Sequence, residues 1–162
     1  MEVKMVLNLP RDAASVTVSR QVLDSCLQRL GVTPDTRDDI ALALSEACAN
    51  VILHAGPGQE YEVQVSVGDG RCAIEVINSG PAPGDGQTGG PADDRWTGED
   101  VTASGDLLAA TPEHGRGLKI IDAVVDNLQL TGSDRLGRTV SFEKKLAWLP
   151  GAPGQHLFNG DG

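Results

Sequence analysis

The sequence predicts an α+β sandwich, with helices packed on one face of a mixed, mostly antiparallel sheet. Two observations carry that prediction. Segments with two-residue and helical apolar periods follow one another in the order β, α, α, β, β, long loop, α, β, β. That order groups like elements together, whereas a doubly wound sheet would alternate them as regular βαβ units. A length of 162 residues suits one domain, and an apolar content of 40 % is enough for a core. Aromatics are only 3 %, so Val, Leu, Ile and Ala must fill that core.

Val3, Met5, Leu7 and Leu9 alternate and predict a first strand over 3–9, ended by Pro10. A helix follows from Asp12 to Leu30. Val16, Leu23, Leu27 and Leu30 are spaced to share one face, and Gly31 is a suitable stop. Thr33-Pro34-Asp35 opens a second helix with a capping hydroxyl, a first-turn proline and an acid at the positive end of the dipole. That helix is expected to run from Pro34 to about Ala55, where Gly56-Pro57-Gly58 breaks it. Alternation over Tyr61–Val67 and Cys72–Ile77, joined by Gly68-Asp69-Gly70, predicts a hairpin.

Residues 78–114 are rich in Gly, Pro and acids and show little periodicity, apart from a short helical stretch over Asp106–Ala110. A loop of that length inside a compact domain points to function or disorder. Helical spacing returns over Leu118–Val125, and Leu128–Thr131 and Thr139–Leu146 read as two closing strands. The domain is therefore expected over 1–149, with 150–162 a flexible, frayed tail.

Composition excludes several classes. A formal net charge of −10 repels phosphate backbones, which argues against direct nucleic-acid binding and leaves a basic protein partner open. That acidity also serves solubility alone. No apolar run is long enough to span a membrane, and Met1-Glu2-Val3-Lys4 does not open a secretory signal. Cys26, Cys48 and Cys72 are odd in number, lack metal-ligand spacing and lie in apolar patterns. They point to a reducing, cytoplasmic setting.

Four groups of residues can carry chemistry. Glu46, Asn50 and His54 recur every four residues and share one face of the second helix. Residues 40–55 are otherwise mostly apolar or small, so a carboxylate and an amide there need partners, which a cation and a bound ligand supply. An amide with a shell of water suits Mg²⁺, and a nearby Glu can accept a proton from an attacking hydroxyl. The second group is His114-Gly115-Arg116-Gly117-Leu118 at a helix start. Its glycines admit a phosphate close to the backbone, the helix dipole favours the anion, and Arg116 can add a charged contact. In the third, Asn78 and Gly80 end a strand and can meet the edge and face of a base. In the fourth, Thr139 enters the last strand after Gly137-Arg138 and can offer its hydroxyl to a base. Each group taken singly also fits an ordinary surface, turn or strand.

Their order and spacing resemble the ATP-binding domain of the GHKL superfamily, the Bergerat fold, over about residues 3–147. Glu46 and Asn50 look like its N box, Asn78-Ser79-Gly80 its first glycine box, Gly115–Leu118 its second, and Gly137-Arg138-Thr139 its last. The loop over 85–112 looks like the ATP lid. The small size and the Leu44-Ser45-Glu46 to His54 helix are most similar to the stand-alone anti-sigma-factor serine kinases. That resemblance implies ATP and Mg²⁺ as cofactors, Glu46 as general base and Asn50 as the Mg²⁺ ligand. It implies a sigma factor as one partner, a STAS-domain anti-anti-sigma protein as phosphoryl acceptor, and a homodimer. The chain departs from the family at Asn78, where the usual residue is Asp accepting from the adenine amino group. Pro81-Ala82-Pro83 also replaces the next family glycine, and Glu113 stands where some kinases carry a basic residue. These departures keep open an alternative: a GHKL-fold binding module that sequesters its partner without phosphoryl transfer.

Overall fold

The computed structural model describes residues 1–54, 60–78, 114–133 and 137–158. Nine elements follow in order: β1 (Glu2–Pro10), α1 (Ala13–Leu30), α2 (Pro34–His54), β2 (Glu60–Gly68), β3 (Arg71–Asn78), α3 (His114–Val124), β4 (Asn127–Ser133), β5 (Gly137–Lys145) and α4 (Pro153–Phe158). The expected lid over 85–112 and the helix over Asp106–Ala110 lie outside the described residues.

The α+β fold class is as the sequence predicts, with one correction. The sheet runs β1-β2-β3-β5-β4, and every pairing among the described residues is antiparallel rather than mixed. Each described neighbouring pair is antiparallel, even β3 and β5, which the chain joins through α3 and β4. The β2–β3 hairpin turns at Asp69 (φ 48°) and Gly70 (φ 71°), the two left-handed positions of a tight turn that matches strand twist.

Period-two burial sets the layers. Tyr61, Val63, Val65 and Val67 on β2, Cys72, Ile74, Val76 and Asn78 on β3, and Val140 and Phe142 on β5 are buried on one face. Helix α2 lies between α1 and α3 on that face and rests on β3 and β5. Its buried row is Ile40, Ala43, Leu44, Ala47, Cys48 and Val51, so small residues bring the helix close to the strands. Lys144 binds α2 to α3: its ammonium lies 3.2 Å from Asp39 and donates to the Val124 carbonyl at 2.6 Å.

The caps act where the sequence places them. The Asp12 side chain accepts from the Ala14 amide at 2.9 Å to start α1. Gly31, at φ 86°, ends it as the amides of Gly31 and Val32 bond the Gln28 and Leu27 carbonyls. The buried row of α1 differs from expectation. It is Ser15, Ser19, Leu23 and Leu27, while Val16 and Leu30 are only partly covered.

Two further corrections concern boundaries. Helix α3 starts at His114, four residues before the expected Leu118, so the glycine segment is the helix's first turn rather than its approach. Glycine disfavours helix intrinsically, but burial of Leu118 and Ile121 and close contact with α2 outweigh that preference. The segment expected to be a frayed tail instead docks through Phe158. Val32 and Trp148 form a β-bridge, Trp148 stacks on Phe158 with ring centroids 6.2 Å apart, and Ala152 is buried.

Candidate nucleotide site

Glu46 and Asn50 lie one turn apart in the second half of α2. Asn50 is 8 % exposed, and Glu46 is half-buried. The arrangement of α2 and α3 brings the first helical turn of α3 onto Glu46. A Cβ added at Gly117 would stand 3.0 Å from Glu46 Oε2, tighter than nearly all real contacts. Glycine at 117 is therefore what lets the carboxylate reach the start of α3. The first amides of a helix have no partner within it. Glu46 thus meets the first turn of α3, with Leu118 buried on that turn and Arg116 exposed on it, and Asn50 lies one turn further along α2.

Asn78 closes β3 on the helix-covered face and is 6 % exposed. It pairs with Tyr61 across the hairpin. The Tyr61 hydroxyl lies 2.7 Å from Ser15 Oγ and also bonds the Cys48 thiol, which sits on α2 between Glu46 and Asn50. This chain of contacts places the end of β3 beneath the half of α2 that carries Glu46 and Asn50. The Asn78 Oδ1 is buried without a hydrogen-bond partner. A buried amide oxygen left unmatched is uncommon in folded proteins, and a bound donor would satisfy it.

Thr139 is not brought to this group. It pairs with Ile77 and Thr131, and β5 buries Val140 and Phe142 on the helix side, so alternation turns Thr139 to the other face. Gly80 lies outside the described residues, as do the side chains of His54 and His114. Arg11, which the sequence did not single out, donates to the Ile52 carbonyl at 2.6 Å and ties the β1–α1 connection to the end of α2. No spacing rule marks that contact.

Beneath the site lies a buried polar set that sequence reasoning also missed: Ser15, Ser19, Cys48 and Tyr61. Burial pushes the Cys48 thiol up to about 11, against opposing hydrogen bonds from Ser19 and Tyr61. Burial likewise raises the Tyr61 hydroxyl to about 12, and the Cys72 thiol to about 12 with help from Cys26. All three groups are held neutral in the fold. Their contribution is complete below the ordinary thiol range and is lost as pH rises, because the unfolded chain releases those protons first. Each unit of separation is worth about 1.4 kcal/mol. The urea midpoint is expected to be flat up to about pH 8 and to fall steeply from about pH 9 to 11. A Cys72→Ala variant will show a shallower fall over that range; an alkaline slope identical to the parent's would refute the assignment.

A two-layer α+β sandwich whose central helix brings a carboxylate to the glycine-containing first turn of the next helix is the arrangement expected of an ATPase-type domain. The chain belongs to the histidine kinase-like ATPase domain family, whose description matches residues 9–144. Within it, the chain is similar to serine-protein kinase RsbW of Bacillus mycoides, 27 % identical over 88 % of this chain and 85 % of the relative. The Bacillus thuringiensis protein of the same name matches at the same identity and coverage. Among solved structures, the RsbU and RsbW domains of a Mycobacterium tuberculosis protein superpose with a TM-score of 0.60 at 17 % identity. That match covers 89 % of this chain and 32 % of the mycobacterial one, and it supports the fold. The GHKL resemblance read from the motifs is borne out. No helix among the described residues is long and apolar enough to cross a membrane.

Proposed function

We propose that this chain is an ATP- and Mg²⁺-dependent anti-sigma regulator of the cytoplasm. It binds a sigma factor and phosphorylates a serine or threonine on a STAS-domain antagonist, acting as a homodimer. The observation that carries this reading is the contact of Glu46 with the first turn of α3 across Gly117. It joins a candidate base to a phosphate-binding helix start, the pairing that phosphoryl transfer needs. The similarity to proteins named serine-protein kinase supports the choice of acceptor class.

The residues present fit the nucleotide. The unmatched Oδ1 of Asn78 offers an acceptor at the base end, and the glycine-opened start of α3 offers amides at the phosphate end. When bound, Mg·ATP supplies the transferable phosphoryl group and neutralises its charge. Asn50 would hold the cation through its amide oxygen, a hard oxygen donor of the kind Mg²⁺ takes. Arg116 would add charge at the phosphate end, and Glu46 would take the proton from the acceptor hydroxyl. His54, Gly80, His114 and Gly115 complete the nucleotide's surroundings in this reading.

Calorimetric titration with ATP and Mg²⁺ tests it. The parent is expected to bind at micromolar affinity, and Asn50→Ala to bind at least about tenfold more weakly, the loss expected when a contact supporting a metal site is removed. Absence of binding at millimolar ATP would favour the second reading, a partner-sequestering module without phosphoryl transfer. The uncharged Asn78 is the observation that favours it.

A further inference from the structure

We propose that Asn78 makes the base pocket indifferent to the group at purine C6, so that 6-oxopurine nucleotides bind as well as 6-aminopurine ones. This rests on the reading of the site as a nucleotide site and concerns which nucleotide it accepts.

The argument starts from the state of the side chain. Asn78 is 94 % covered, as its exposure of 6 % gives by difference, and it ends β3 on the helix-covered face. Its Oδ1 is buried and unpartnered. Among the described residues no side-chain hydrogen bond holds the amide, so none of them fixes which of its two ends faces the ligand. Its described neighbours leave it free to turn. Tyr61, its cross-strand partner, directs its hydroxyl to Ser15 and Cys48, and Val76 two residues back is apolar.

An amide carries one acceptor and one donor side by side. The edge of adenine offers the amino N6–H and the acceptor N1. The edge of hypoxanthine offers the reverse, the N1–H donor and the acceptor O6. The amide matches adenine in one sense and hypoxanthine after rotating by half a turn. Both pairings satisfy the same buried group with two hydrogen bonds. A carboxylate at this position has no donor. It accepts from the adenine amino group, but against a 6-oxopurine it sets one oxygen facing O6, an unfavourable pairing of two acceptors. Discrimination at C6 is thus a property of an acid at 78, and this chain has the amide.

The test compares ATP with inosine triphosphate, which differ only at C6 and N1, on the full chain with Mg²⁺, by calorimetry. The expected result is a pair of dissociation constants within about threefold of each other. In Asn78→Asp they are expected to separate by about thirtyfold in favour of ATP, the range a two-point base contact provides. Asn78→Ala should weaken both nucleotides alike, and it serves if Asn78→Asp does not fold. Parent protein that prefers either nucleotide by about thirtyfold overturns the inference and leaves the nucleotide site standing. An unchanged ratio in Asn78→Asp, or loss of one nucleotide alone in Asn78→Ala, also overturns it. If the parent binds neither nucleotide, the reading of the site falls, and this inference with it.

Discussion

Glu46→Gln is expected to slow phosphoryl transfer to a STAS-type acceptor by about 10²–10⁴-fold, the usual contribution of a positioned general base. ATP affinity should stay within about threefold, because a residue acting mainly in the transition state lowers kcat and kcat/KM together. The substitution keeps the shape of the side chain and removes only its capacity to take a proton. Glutamine still fits against Gly117, where a larger residue would displace it, since the carboxylate oxygen stands 3.0 Å from where a Cβ would be. The fold should be undisturbed. Glu46 is half-buried at the surface of α2, while the core beneath is built from Ala43, Leu44, Ala47, Cys48 and Val51. Phosphorylated antagonist is measured in single turnover alongside ATP binding. Undiminished transfer would remove Glu46 from the reaction, and equal loss of binding and transfer would make it a structural contact.

The features that were legible in the sequence are those set by local spacing. Glu46 and Asn50 share a face because four residues complete a helical turn, whatever surrounds them. Asn78 falls at a strand end because alternation over Cys72–Ile77 runs out there, and the structure closes β3 at that residue. What was not legible depends on phase or on distant partners. Thr139 follows glycine in the right order, yet its face is decided by Val140 and Phe142, which take the core side. Ser15 and Ser19 lie in register with Leu23 and Leu27 every four residues, so the row was present in the sequence. Reading only apolar residues moved it to Val16. The serines are buried because Tyr61 and Cys48 on other elements satisfy them. The start of α3 was misplaced for a similar reason: glycine lowers helix propensity locally, and packing against α2 decides the outcome.

The chain's last described segment shows the same limit with larger energetic consequences. Gly151, Gly154 and two prolines make 150–158 look like loop, but Gly154 is there because nothing larger fits. A Cβ at 154 would lie 2.2 Å from Trp148 Cζ3 and 2.8 Å from the Leu30 carbonyl oxygen. The ring cannot give way easily, since it is stacked on Phe158 and its backbone is bridged to Val32. The carbonyl belongs to the end of α1, whose stop at Gly31 also faces Ala152, with an added Cβ there only 2.4 Å from the Ala152 Cβ. Gly154→Ala must therefore undock α4 or displace the Trp148 ring. A cost of about 3 kcal/mol is expected, at the upper end for overpacking. The fall in Tm should be on the order of 10 °C for a chain of this size. Nucleotide binding should be untouched. The docked segment meets the α1–α2 connection, and Asn50 lies sixteen residues along α2 from Pro34, about 24 Å at the helical rise. An unchanged Tm would mean that Trp148 swings aside freely. A shift in ATP affinity beyond a few-fold would mean that α2 transmits strain along its length, coupling the docked segment to the site at its far end.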